Sequence, residues 1–171
     1  MMLGTRNESR GLPVVAPRFC ARRPERTRSG GSALERSIRV LIVDNYQPWN
    51  DFVGSLLGKI PGLEVIAQLS DGLEAAQKAE ELQPDLILLD VGLPGLNGIE
   101  AARQIRKCAP LCRILFVSEN RTREVVDAAL DTGALGYILK SDARMELLLA
   151  LDAVLQGKRH VSAKVDSACS R

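Results

Sequence analysis

Missing from this chain is any continuous apolar run near the ~18 residues needed to cross a bilayer, and its N-terminus carries no uninterrupted apolar core of the secretory kind. A cytoplasmic protein without membrane attachment is therefore expected. Histidine is almost absent: His160 is the only one, beyond the last amphipathic segment, so a histidine phosphotransfer protein is a poor fit and His160 is expected to be a solvated bystander. Four cysteines, Cys20, Cys108, Cys112 and Cys169, form no paired doublets. That pattern argues against a zinc site, and a cytosolic setting leaves them as reduced thiols.

What is present suits one cored domain with tails: 171 residues, 46% of them apolar. Charge is unevenly spread. Residues 1–37 hold eight Arg against three Glu, whereas the remainder has 15 basic and 18 acidic groups, a net of −3. The first 37 residues mix Arg, Gly, Ser and Pro without apolar periodicity, which cannot bury enough surface to offset ordering entropy. They are expected to form a disordered basic tail. Phe19 is their only aromatic, so no nucleic-acid interface is expected there.

From Arg39 onward short apolar runs alternate with helical periods. The runs are Val40–Val43, Leu63–Ala67, Leu86–Leu89, Ile114–Val117 and Tyr137–Leu139. Each is short with little room for solvent-facing alternation, as in parallel strands covered on both faces. Between and after them, Val53/Leu56/Leu57/Ile60, Ala75/Ala76/Ala79/Leu82, Ile99/Ala102/Ile105, Val126/Ala129/Leu130 and Leu147/Ala150/Leu151/Val154 follow helical spacing. Ser70-Asp71 and Ser141-Asp142 read as helix starts, Pro84 and Gly157 as stops. Five βα units result, and right-handed crossovers would place helices on both faces of one parallel sheet.

Ligands of such sheets bind at the carboxyl ends of the strands. The residues there are Asp44 and Asn45 after the first strand, Asp90 after the third, Ser118 at the fourth and Lys140 after the fifth. Two carboxylates converging on one point repel unless a cation joins them, and hard oxygen donors with open positions suit Mg²⁺. A hydroxyl and an ammonium across the same crevice can each hold an oxygen of a transferred phosphoryl group.

The stretches Val40-Leu41-Ile42-Val43-Asp44-Asn45, Leu88-Leu89-Asp90-Val91-Gly92-Leu93-Pro94 with Asn97-Gly98, Phe116-Val117-Ser118 and Gly136-Tyr137-Ile138-Leu139-Lys140 together resemble the receiver domain of bacterial two-component response regulators. Details are most similar to receivers of helix-turn-helix transcriptional regulators. The resemblance spans about residues 38–160, leaving 161–171 as a short C-terminal tail. It implies a flavodoxin-like (βα)5 doubly wound parallel sheet of strand order 2-1-3-4-5. Asp90 would then accept a phosphoryl group from a sensor histidine kinase. Asp44, Asp90, the Gly92 carbonyl and, more weakly, Asn45 would hold Mg²⁺. Lys140 would pair with Asp90 and then with the phosphoryl oxygens. Ser118 would donate to the phosphate, and its loop shift would let Tyr137 turn inward. Gly92 and Asn120 would tune hydrolysis of the phosphate. The chain would catalyse only its own phosphorylation and dephosphorylation.

Two departures stand out. The first strand of a receiver usually ends in two acids, and Asn45 replaces the second; Ser141 replaces the Pro that usually follows the lysine, so a cis bond there is not carried over. The stretch beyond His160 leaves no room for a helix-turn-helix module, so output through the receiver surface to a protein target is expected. Met145 and Leu149 lie off the core stripe of the last helix and are candidates for that surface, or for a homodimer contact. The competing reading is a pseudo-receiver adaptor that is never phosphorylated. A haloacid-type phosphatase would need an Asp at position 92, and a flavodoxin would need hydroxyls where Asn45-Tyr46-Gln47-Pro48 stands.

Overall fold

The structure, a computed structural model, describes residues 37–166. The basic segment 1–36 and residues 167–171 lie outside the described residues, and with them the expected tail conformations. Strands β1 (Ile38–Val43), β2 (Leu63–Leu69), β3 (Leu86–Leu89), β4 (Arg113–Ser118) and β5 (Gly136–Leu139) alternate with helices α1 (Gln47–Leu57), α2 (Gly72–Leu82), α3 (Gly98–Cys108), α4 (Arg123–Leu130) and α5 (Ala143–Leu155). All strand pairs are parallel. The expected order 2-1-3-4-5 is observed, continued by a sixth strand, β6 (His160–Val161), beside β5.

Alternation along the strands divides the core in two. Val40, Ile42, Leu115, Val117 and Ile138 face α1 and α5, where Val53, Leu57, Leu147, Leu151 and Val154 cover them. Leu41, Val43, Ile87, Leu89, Phe116 and Tyr137 face α2, α3 and α4, meeting Ala75, Ala79, Ile105, Val126 and Ala129. Both faces of the central strands are buried, which is why their sequences are continuous apolar runs. β2, at the sheet edge, is only partly covered along most of its length.

Local signals act mostly as expected. Asp71 caps α2, its Oδ1 accepting from the N–H of Leu73 at 2.8 Å and of Glu74 at 3.2 Å. Asn97 caps α3 through the Glu100 N–H at 3.0 Å. Gly157 closes α5 with φ +76°, a conformation that costs glycine nothing. Asp142 differs. It stands at the cap position of α5 but makes no cap bond, because its carboxylate turns to Lys164 in the segment that follows β6.

That segment is the main correction to the expected architecture. Residues 161–166 do not simply trail away, and His160 is no bystander. His160 and Val161 pair with Gly136 and Tyr137, the Ser162 N–H donates to the Tyr137 carbonyl at 2.9 Å, and a short helix α6 (Ala163–Asp166) follows. Ser162 is fully buried; its Oγ accepts from the Leu139 N–H at 3.2 Å and donates to Glu146 of α5. Val165 is buried in the cluster that holds Tyr137, Val126 and Ala129. The His160 ring is only a quarter exposed, with Nε2 3.7 Å from Glu146 Oε2. Two strand residues are too few to show periodicity, and their partners lie over 20 positions away.

This strap should contribute measurably to stability. A chain ending at Arg159 should lose about 2–3 kcal/mol of unfolding free energy, the value of one buried aliphatic side chain and its neighbours, in urea titration against the full chain. A loss under about 0.5 kcal/mol would mean that residues 160–166 merely rest on the sheet.

Candidate functional site

Asp44, Asp90 and Lys140 each sit one rung beyond their strand and Ser118 on the last rung of β4, so that they stay on the backbone ladder. The Asp44 N–H donates to the Leu69 carbonyl, that of Asp90 to Val43, and that of Lys140 to Ser118, each at 2.9 Å. Every main chain is thus fixed by the neighbouring strand before its side chain enters the cleft. The cleft, about 640 Å³, is lined by Asn45, Tyr46, Asp90, Val91, Gly92, Ser118, Glu119, Asn120 and Lys140.

Asp44, Asp90 and Ser118 are buried, and the Lys140 side chain is nearly so. Lys140 Nζ lies 2.5 Å from Asp44 Oδ2 and 3.2 Å from Asp90 Oδ2. The first contact is an ion pair without hydrogen-bond alignment; the second is a hydrogen bond as well. Burial raises the Asp44 pKa, and the close Lys140 ammonium and the Tyr46 N–H only partly counter it. Burial acts on Lys140 in the opposite direction, but Asp44 and Asp90 together outweigh it and hold the ammonium above its ordinary pKa.

The β3–α3 loop brings Asp90 and Gly92 to the cleft through a close contact. The Gly98 N–H donates to the Val91 carbonyl at 3.0 Å, and a Cβ at Gly98 would collide with the Asp90 carbonyl. Gly98 therefore lets the start of α3 press against the Asp90 backbone.

Across the cleft, the Ser118 hydroxyl accepts from the Asn120 N–H at 3.4 Å, and the Asn120 side chain caps the turn through the Thr122 N–H at 2.9 Å. Tyr137, expected to turn inward when the Ser118 loop shifts, already has its ring inside: it is fully buried, its hydroxyl donating to the Asn120 carbonyl at 2.7 Å. Burial pushes its pKa up to about 12 despite a hydrogen bond with Ser118. Ser118, Asn120 and Tyr137 therefore form one connected group. The described peptide bonds include no cis bond, so the chain passes from Lys140 to Ser141 in trans.

Sequence reasoning missed two residues, both on α1. Asn50 is buried, and its Nδ2 donates to the Asp44 carbonyl at 2.8 Å, fixing the loop that carries Asp44 and Asn45. The signal was available, because Asn50 stands three and seven positions before Val53 and Leu57, on the core stripe. Trp49 lies beside Lys140, a contact no local pattern announces. Met145 and Leu149 are exposed, at 82% and 65%, as their helical positions imply.

The donor set suits a hard divalent cation. Asp90 Oδ1 is buried without a hydrogen-bond partner, and Asp44 Oδ2 has only the unaligned lysine contact. Such orphaned oxygens are costly unless a ligand uses them. Among the described residues no three His, Cys, Asp or Glu side chains gather around one point, so the carboxylate contribution is two, with Asn45 exposed at the rim.

Residues 40–152 match the response regulator receiver domain family. This chain belongs to that family. Response regulator GacA of Pseudomonas viridiflava is 34% identical over 128 residues, covering 75% of this chain and 60% of that protein. The nitrate/nitrite response regulator NarL of Escherichia coli K12 is 35% identical over 123 residues, covering 72% and 57%. The chain thus spans about 60% of the length of these relatives. A LuxR-family two-component response regulator from Aurantimonas sp. SI85-9A1 superposes with a TM-score of 0.72 at 33% identity, over 77% of this chain and 94% of that one. The response regulator domain of Thermotoga maritima CheB gives 0.66 at 33%, over 71% and 98%. Among the described residues no helix is long and apolar enough to cross a membrane.

The raised Asp44 pKa has a definite consequence for stability. A carboxyl harder to ionise in the folded state costs nothing below its unfolded pKa near 3.8, and its destabilising effect grows as pH rises through the folded value. Asp44→Asn should therefore melt above the wild type at pH 7, with the gap closing as pH falls towards 3.8. A gap that is constant with pH would remove burial of the charge as its cause.

Proposed function

We propose that this receiver takes a phosphoryl group onto the Asp90 carboxylate from the phosphohistidine of a sensor histidine kinase, in a Mg²⁺-dependent reaction, and signals through the Ser118–Asn120–Tyr137 group. The observation that carries this reading is the unpartnered, buried Asp90 oxygen beside Lys140 at the cleft. Transfer makes a P–O bond to Asp90 and breaks the P–N bond of the donor, whose imidazole keeps the electron pair. Asp44, Asp90 and the Gly92 carbonyl, with Asn45 as a weaker ligand, would hold Mg²⁺, which when bound offsets negative charge on carboxylates and phosphoryl oxygens.

Lys140 supplies a fixed positive charge for the transferred group, and Ser118 a hydroxyl within the same cleft. Any movement of Ser118 towards a phosphoryl oxygen would pull on Asn120 and so on the Tyr137 hydroxyl, giving the switch a connected path. Gly92 and Asn120, facing the cleft, are proposed to set how readily water reaches the acyl phosphate. Asn45 speaks for the adaptor reading, whereas the orphaned Asp90 Oδ1 favours chemistry. A cytoplasmic location and a downstream protein target complete the reading. Met145 and Leu149 are proposed as the contact to a second copy, since α5 is apolar on nearly every side.

Incubation with acetyl phosphate and Mg²⁺ should add one phosphoryl group by intact mass, and Asp90→Ala should remove it; labelling at the wild-type level in Asp90→Ala would overturn the assignment. Restoring the missing acid should strengthen the metal site. Asn45→Asp is expected to bind Mg²⁺ about 30- to 150-fold more tightly, from a net ~2–3 kcal/mol after desolvation, in a titration of Trp49 fluorescence. Equal affinities would place Asn45 beyond the ion's reach. Leu149→Glu should shift any dimer to monomer in sedimentation velocity, and an unchanged profile would leave the α5 patch without that role.

A further inference from the structure

Lys140 has a third neighbour besides its two carboxylates. Trp49, in the first turn of α1, places its ring beside the ammonium, with Nζ 5.7 Å from the ring centroid. The same ring meets Phe52 at 5.6 Å between centroids, tilted by 47°. Phe52 in turn carries the Arg144 guanidinium of α5 at 5.6 Å from its centroid. Trp49 and Phe52 are three residues apart and share a helix face, so α1 presents a continuous aromatic wall between two cations. No other tryptophan exists in the chain.

An aromatic face attracts a cation through its quadrupole and carries no formal charge. It neither competes with Asp44 and Asp90 for the ammonium's strongest hydrogen bonds nor adds to the repulsion between carboxylates. The lysine stem has four flexible carbons, so its head goes where attraction is greatest. Asp44 is the nearer carboxylate, at 2.5 Å against 3.2 Å for Asp90. The ammonium thus stands between the two carboxylates, closer to Asp44, with the indole as its third contact. The charge on Asp90 also changes when it is phosphorylated, whereas that of an indole does not.

We propose that Trp49 is a positioning residue that, through its indole face, holds the Lys140 ammonium between Asp44 and Asp90 within reach of the phosphoacceptor. The proposal rests on Asp90 as phosphoacceptor for its effect on rate, but the contact itself can be read without any phosphoryl donor. The aromatic wall then ties the placement of Lys140 to α1 and, through Phe52 and Arg144, to the first turn of α5.

The test compares wild type with Trp49→Phe, Trp49→Leu, Lys140→Met and the Trp49→Leu/Lys140→Met double variant, all as full chains. Initial rates of labelling by acetyl phosphate with Mg²⁺ are followed by intact mass. Ring-current shifts of the Lys140 methylene protons are read by NMR in the absence of donor. Trp49→Leu should slow labelling about five-fold, the size of a partly buried cation–π contact, and Trp49→Phe, which keeps a π face, by no more than about two-fold. The double variant should be no slower than Lys140→Met alone, because Trp49 acts through the lysine. The upfield methylene shift should persist in Trp49→Phe and vanish in Trp49→Leu. Unchanged rates in Trp49→Leu, multiplied effects in the double variant, or ordinary methylene shifts in wild type would each overturn the proposal. If wild type takes no label, the phosphoacceptor reading fails, while the methylene shifts still decide whether the indole holds the lysine.

Discussion

The charge pair that this molecule must reconcile is two carboxylates, Asp44 and Asp90, buried at the ends of adjacent strands. Parallel pairing of β1 with β3 puts them together, and the ladder bonds from Leu69 and Val43 leave their backbones no freedom to separate. Lys140, delivered by β5 from the far side of β4, is the one described cation whose ammonium reaches both. Two other elements bear on the same residues: α1 sets the Trp49 ring beside the lysine, and Gly98 lets α3 press on the Asp90 backbone. The resting arrangement is a tolerated strain. Burial works against ionisation of Asp44 and against the ammonium of Lys140 alike, and their mutual attraction opposes both effects.

Much of this was legible because the fold repeats one local rule. Apolar runs of three to five residues, each ending in a polar group, announce buried parallel strands and the edge of a ligand site at the same time. Asp44, Asp90, Ser118 and Lys140 are brought together as that rule requires. A cap such as Asp71 is a local device and was equally visible. What escaped notice depends on neighbours distant in the chain. Asp142 looks like a cap, yet Lys164 claims its carboxylate; Trp49 looks like core, yet its ring meets the site lysine. Asn50 was within reach of pattern reading, since a polar residue on an apolar stripe must find a partner and here finds the Asp44 carbonyl.

Asn45 and Tyr137 show how a family pattern and a particular chain part company. The exposed amide at Asn45 leaves the cleft with one negative charge fewer than a full acidic pair would, and Glu119 on the opposite rim is the remaining exposed carboxylate of its lining. Tyr137, by contrast, is conventional in type but committed in position. With its ring inside and its hydroxyl on the Asn120 carbonyl, the freedom left to this side of the molecule lies in the Ser118–Thr122 turn rather than in the aromatic ring.

The strap at residues 160–166 has a meaning beyond the energy of its contacts. Were the sheet to stop at β5, its last strand would be Gly-Tyr-Ile-Leu, an uncharged apolar run with one row of amides and carbonyls open. Such an edge is a template on which another chain can lay a strand. β6 occupies two rungs of it, Ser162 satisfies two further backbone groups, and Lys164 sets a charge beside it. The family match ends at residue 152, before any of this protection begins. Cover for this edge is thus supplied by residues beyond the family match, and a domain trimmed to residue 152 would keep Asp44, Asp90 and Lys140 while leaving the β5 edge open.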